Sequence, residues 1–155
     1  VLDMSVSRNI SLTTLAKCET RVLLDGAKEK ILTDKMVHDL RIKAGSIQQS
    51  VATLSGGNQQ KVVIGKWLAT DPTVLMLDEP TRGIDVGTKS EIHDLLRRLA
   101  AEGRAILVSS SEMPELLALC DRILVLNEGG ITANVNAADA DEDILLSAAI
   151  PKSTP

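Results

Sequence analysis

From Leu54 onward, short apolar runs alternate with amphipathic stretches of helical period, and this alternation constrains the fold more than any other feature of the chain. Val74–Leu77, after the Asp71-Pro72 turn, reads as a strand, as do Ala105–Ser109 and Arg122–Leu126. Asn58–Leu68, Lys89–Ala101 and Met113–Leu119 read as the helices before and between them. In the middle helix Ile92, Leu95, Leu96 and Leu99 share one buried face, with Asp94 outside it able to pair with Arg97 or Arg98. Gly103 closes that helix. Strands this short joined by helices need crossover connections, which predicts an α/β fold whose largely parallel sheet is covered by helices on both faces. Ligands in such folds bind at the C-terminal ends of strands.

Residues 1 to about 50 are polar and weakly periodic. A helix over Asp34–Lys43, with Met36, Val37, Leu40 and Ile42 toward one side, predicts a small helical N-terminal region. Lys28, Glu29, Lys30, Asp34 and Lys35 read as a solvated helix face. At the other end, Asn127-Glu128-Gly129-Gly130 predicts a turn, Ile131–Ala133 a short strand, Glu142–Ala149 a helix and Pro151–Pro155 a frayed tail.

Composition narrows the function. The chain of 155 residues has no Phe, no Tyr and one Trp, so its core must be aliphatic. A net charge of −4 and the lack of aromatic platforms disfavour direct nucleic-acid binding. Cys18 and Cys120 lack CxxC spacing and read as reduced thiols of a cytosolic protein. No apolar run is long enough to span a bilayer, so a membrane role is expected to be peripheral. The chain opens Val1-Leu2-Asp3 without a Met, and a preceding stretch is expected.

Leu54-Ser55-Gly56-Gly57-Asn58-Gln59-Gln60-Lys61 places a hydroxyl and two glycines where a helix begins. Unpaired helix N–H groups and the macrodipole favour an anion there, and glycine lets a phosphate approach the backbone. An ordinary N-cap Ser55 followed by a flexible turn gives the same local pattern. Further on, the apolar strand Val74–Leu77 delivers Asp78 and Glu79 at its C-terminal end. Two adjacent carboxylates there suit a hard cation at Asp78 and a polarised water at Glu79; a plain surface turn is the alternative.

Taken together, with 13 residues between Ser55–Gln60 and the strand, the two elements resemble the signature and Walker B segments of ABC ATPases. The chain is most similar to the second cassette of the tandem ATPases that drive bacterial sugar importers of the ribose, galactoside, xylose and arabinose group. Gly83-Ile84-Asp85-Val86-Gly87 resembles the D-loop, and Asp121–Leu126 the strand after the switch region. Val1–Leu12 resembles the stretch following the Q-loop.

The resemblance implies a partial P-loop NTPase fold. Residues 1–53 would belong to the helical subdomain of the cassette, and residues 54–150 to the signature and Walker B half of the core. ATP and Mg²⁺ are the implied cofactors, held in the intact protein between two cassettes facing head to tail. Ser55, Gly56, Gly57 and Gln59 would contact nucleotide bound on the first cassette, Asp78 the Mg²⁺ and Glu79 the attacking water, while Asp85 would couple the two sites. The implied partners are a first cassette of the same ATPase, transmembrane permease subunits and, indirectly, a solute-binding protein. The implied location is the cytoplasmic face of the bacterial inner membrane.

Two departures matter. The position expected to hold the switch histidine is Ser111, which fits second cassettes of sugar importers and puts fast hydrolysis at that site in doubt. His38 and His93 read as ordinary helix-surface residues. Gly83–Ser90 imitates a phosphate-binding loop but has three residues between its glycines instead of four, with Thr88 before Lys89, so the chain holds no GxxxxGK[ST] sequence. The chain alone is therefore expected to be inactive and, with unpaired strand edges, to self-associate. A non-hydrolysing cassette serving as a nucleotide-dependent clamp or dimerisation module is the alternative. An ABC-type ATPase of DNA repair or translation is a weaker one, disfavoured by the acidic charge and Ser111.

Overall fold

The computed structural model describes residues 1–18 and 25–150, so the tail expected over Pro151–Pro155 lies outside the described residues. The chain forms two compact units, Val1–Leu75 with Thr81–Ile106, and Met76–Pro80 with Leu107–Pro155.

The first unit is helical. Helix α1 (Val6–Ser11) starts at Ser5, whose hydroxyl accepts the Arg8 N–H. Helix α2 (Gly26–Asp39) starts at Asp25, whose carboxylate accepts from Ala27 and Lys28. The sequence placed this helix later, over 34–43; a helix that buries only Thr33 and Met36 carries little periodic signal, and the Asp25 cap sets its start. Lys30 pairs with Asp34 on its solvated face, as expected. Helix α3 (Gly56–Leu68) buries Val62 and Ile64, and helix α4 (Val86–Ala101) buries the expected Ile92, Leu95, Leu96 and Leu99. Gly65 permits the close approach of α3 to the end of α2, since a Cβ there would lie 2.7 Å from Leu40 Cδ1. Asp94 takes Arg97 as its partner, at 3.2 Å. The core is aliphatic, and Trp67 stands half exposed with the Lys66 ammonium 5.4 Å from its ring centroid.

Strands β1 (Val74–Asp78) and β2 (Ala105–Ser109) form a two-stranded sheet. Ala105 donates to Thr73 O and Glu79 to Ser109 O, both at 2.9 Å, and this same-sense order makes the pair parallel. The expected α/β class holds, but the third strand does not join this pair. Strand β3 (Arg122–Asn127) pairs antiparallel with β4 (Gly130–Asn136), from Arg122↔Asn136 to Asn127↔Gly130, with an irregularity at Val125/Leu126. The cause is local: Glu128 at φ +50° and Gly129 at φ +79° make the tight turn that folds β4 back onto β3. Nor are both strand faces covered, for Val74, Met76 and Leu107 are 56, 71 and 52% exposed.

In the second unit helix α5 (Met113–Leu119) begins with Pro114 in its first turn, and helix α6 (Glu142–Ala149) is capped by Asp141. Leu145 of α6 and Ile123 of β3 are the buried residues where α6 packs on the hairpin. Thr132 Oγ1 donates to Ala148 O at 2.8 Å, tying β4 to the same helix.

Candidate functional site

The candidate residues fall into two clusters, one in each unit. In the first unit Ser55 occupies the N-cap of α3 with extended backbone, but its hydroxyl makes no capping bond to the helix. It accepts instead from Asn58 Nδ2 at 2.8 Å. The first intrahelical bond runs from the Gln59 N–H to Ser55 O, leaving residues 56–58 in the turn whose N–H groups a helix cannot satisfy internally. Ser55 and Gly56 are exposed while Gly57 is buried. The Gln59 amide is engaged by the loop that leads into the helix, donating to Leu54 O at 3.0 Å and Ala52 O at 3.5 Å. Asn58, which the sequence reading passed over, accepts the Lys43 N–H at 2.7 Å through its other amide atom.

Asp85 caps α4, accepting the Thr88 N–H at 2.9 Å and the Thr88 hydroxyl at 2.7 Å. These bonds, the hydroxyl's first, hold its carboxyl below the ordinary 3.8. Thr88 is also what Gly57 faces, so a Cβ at 57 would fall 2.1 Å from Thr88 Cγ2. The structure thus brings Gly56 and Gly57, at the start of α3, beside Ile84 and Thr88, the residues that flank Asp85 at the start of α4.

In the second unit Asp78 ends β1, and Glu79 follows at φ +47°, a left-handed conformation that costs a non-glycine residue roughly 1–2 kcal/mol. Three consecutive serines at the end of β2 and just after it engage acids. The Ser109 hydroxyl bonds Asp78 Oδ1, and the Ser110 hydroxyl donates to Glu115 Oε2 at 2.6 Å. The Ser111 N–H donates to Glu79 Oε1 at 2.9 Å. Glu115 is buried at 5% exposure, which anchors the serine segment to α5. Ser109, Ser110 and Glu115 escaped the sequence reading; the run of serines following a strand was the available signal.

Among the described residues no group of three or more His, Cys, Asp and Glu side chains is arranged to hold a metal by itself. The donor set nevertheless fits Mg²⁺, which takes one or two carboxylates and completes its shell with water and phosphate oxygens. Asp78 is exposed at the strand end and only its Oδ1 is engaged by Ser109. Burial pushes the Cys18 and Cys120 thiols above their ordinary 9.0.

The family model for ABC transporters matches residues 3–82. The chain belongs to the ABC transporter family. Among ABC relatives it is 52% identical to a ribose import ATP-binding protein of Streptomyces coelicolor over 149 residues, 96% of this chain and 30% of the relative. It is 44% identical to an arabinose import ATP-binding protein of Rhizobium meliloti over 155 residues, 99% of this chain and 30% of that one. The chain therefore spans about 30% of the length of these ABC relatives. A dimeric ATP-binding cassette in a post-hydrolysis state with ADP and phosphate shares the ABC fold, with a TM-score of 0.75 at 22% identity, covering 88% of this chain and 58% of that one.

Proposed function

We propose that this chain is part of the ATP-hydrolysing subunit of an ABC importer for a carbohydrate, and that it contributes the signature, Walker B, D-loop and switch segments to ATP sites shared between two cassettes. On this reading residues 1–53 belong to the helical subdomain and 54–150 to the signature and Walker B half of the core. The observation that carries it is the presence in one chain of both an open, glycine-lined helix start at Ser55–Gly57 and two carboxylates at a strand end, Asp78 and Glu79. The ribose and arabinose import names of its relatives support the carbohydrate class.

Ser55 and the N–H groups of the first turn of α3 would bind the γ-phosphate of ATP held on the first cassette. Asp78 would hold Mg²⁺, and Glu79 would orient and deprotonate the attacking water at its free oxygen while Oε1 keeps the Ser111 N–H. Mg²⁺, when bound with ATP, neutralises the charge that builds on the transferred phosphoryl group. Gln59, whose amide is bound back to Leu54, would support the loop more than touch nucleotide. Asp85 would couple the two sites from the N-terminus of α4. The partners on this reading are a first cassette of the same ATPase, transmembrane permease subunits and a solute-binding protein, with the subunit lying at the cytoplasmic face of the membrane and no nucleic acid bound. Consistent with a peripheral place, no described helix is long and apolar enough to cross a membrane.

The test is ATP binding and turnover by this chain beside the full-length protein, in one Mg²⁺ buffer. The sequence holds no GxxxxGK[ST] loop, and three missing charge-assisted bonds at roughly 1.5 kcal/mol each already weaken binding by about a thousandfold or more. Turnover by the full-length protein alone supports the shared site, and turnover by the chain alone contradicts it.

A second reading has one observation in its favour. Position 111 offers Glu79 a backbone N–H and no imidazole, so the site served by Asp78 and Glu79 would hydrolyse slowly and act as a nucleotide-dependent clamp. Ser111→His in the full-length protein, with turnover resolved by site, tests it; an unchanged rate excludes the missing histidine as the limit.

A further inference from the structure

Helices α3 and α4 meet through two contacts one turn apart. In the first, Gly57 faces Thr88, whose hydroxyl is bonded to Asp85. In the second, Lys61 Nζ donates to Glu91 Oε2 at 2.5 Å. From Gly57 to Lys61 is four residues and from Thr88 to Glu91 three, so both contacts lie on one seam. Lys61 also donates to Arg41 O at 3.3 Å, just past α2, where the chain turns at φ +49°.

The burial of Lys61 is what calls for an explanation. It is 3% exposed, beside Val62 and Ile64 on α3, in a slot an apolar side chain of the same length would fill without desolvating a charge. Glu91 is 44% exposed at its side chain, so the pair is lopsided and contributes little as a simple surface bridge. What an ammonium supplies and a methionine does not is direction: it fixes one register of α3 against α4 and against the end of α2.

We propose that Lys61 is a positioning residue, holding the first turn of α3, with Ser55–Gly57, in fixed register with Asp85 at the start of α4. The inference rests on the reading of those residues as signature and D-loop elements. Lys61 touches no nucleotide; it sets where the groups that do are presented.

The experiment uses the full-length protein with Lys61→Met, Lys61→Arg, Glu91→Gln and the Lys61→Met/Glu91→Gln double variant, read by ATP turnover against ATP concentration and by Tm without nucleotide. Lys61→Met is expected to raise the KM for ATP about tenfold with kcat within about twofold of wild type and Tm lowered by no more than about 4 °C. Lys61→Arg should restore KM to within about threefold, and the double variant should be no worse than Lys61→Met. If Lys61→Met does not fold, Glu91→Gln alone is expected to show the same rise. A wild-type KM in the folded variants overturns the proposal, as does a loss in Lys61→Met that follows a Tm lowered by more than about 4 °C, or a double variant with the product of the single losses. Failure of the wild-type protein to turn over ATP would overturn the site reading beneath it, whereas wild-type turnover with indifferent variants removes Lys61 alone.

Discussion

The backbone N–H of Ser111 donates to Glu79 Oε1 at 2.9 Å, and Glu79 is held at φ +47° while it accepts that bond. The contact is made by the main chain, so the identity of the side chain at 111 is separable from the positioning of the carboxylate. Ser111→Ala should therefore change turnover of the full-length protein by less than about threefold, whereas Ser111→Pro, which lacks the donor, should lower it by about tenfold or more. Steady-state turnover of the two variants decides the matter.

Gly57→Ala should be poorly tolerated. Its Cβ would meet Thr88 Cγ2 at 2.1 Å and Thr88 Cβ at 2.9 Å, and a β-branched side chain cannot swing both aside. The expected cost is about 1–3 kcal/mol, read as a lowered denaturant midpoint.

Burial makes the Lys61–Glu91 pair asymmetric in a way that stability can report. Glu91→Ala leaves an ammonium that is 4% exposed at its side chain without its carboxylate, for about 3 kcal/mol. Lys61→Met leaves a carboxylate that water already reaches, and should cost about 1 kcal/mol or less. Chemical denaturation of the two variants in the full-length protein should rank them in that order.

The same pair gives a pH dependence. The Lys61 ammonium, by its hydrogen bond and then its charge, holds the Glu91 carboxyl below the ordinary 4.5. A carboxyl lowered in the folded state contributes stability that is fully present above 4.5 and is lost as pH falls through its folded value. Asp85, lowered by Thr88 from 3.8, adds a loss of the same sign at lower pH. Denaturant midpoints followed from about pH 7 to about pH 3 should fall less steeply at the acid end in Lys61→Met than in wild type.

The helices and strands that the sequence made legible are those with a strong period or a bounded apolar run. The buried face of α4 was readable because Ile92, Leu95, Leu96 and Leu99 repeat at helical spacing. Its start was placed three residues late, at Lys89, because the Asp85 cap extends the helix through residues of weak periodicity to Val86. The partner of β3 was only half readable: the turn over Asn127–Gly130 and a short strand at Ile131–Ala133 were expected, but an apolar strand carries no mark of which neighbour it pairs with, and β3 was placed in the parallel sheet instead. At the candidate site the motif residues stood out by their combination and spacing, because glycines at a helix start or acids at a strand end, taken singly, fit an ordinary cap or a surface turn equally well. Their partners were not. Lys61, Glu91 and Glu115 look like surface charges in sequence, and only tertiary contacts show Lys61 and Glu115 buried.

The most direct test is Gly56→Asp in the full-length protein, with ATP turnover measured at the site that this helix start is proposed to complete. Gly56 is exposed, and a Cβ there would meet only Ile84 Cγ2, at 3.8 Å, so the fold should accept the change. A carboxylate at the first turn of α3 would stand where the phosphate is proposed to bind, and turnover at that site should fall by about a hundredfold with Tm unchanged. Turnover equal to wild type would contradict the claim that this helix start binds the phosphate.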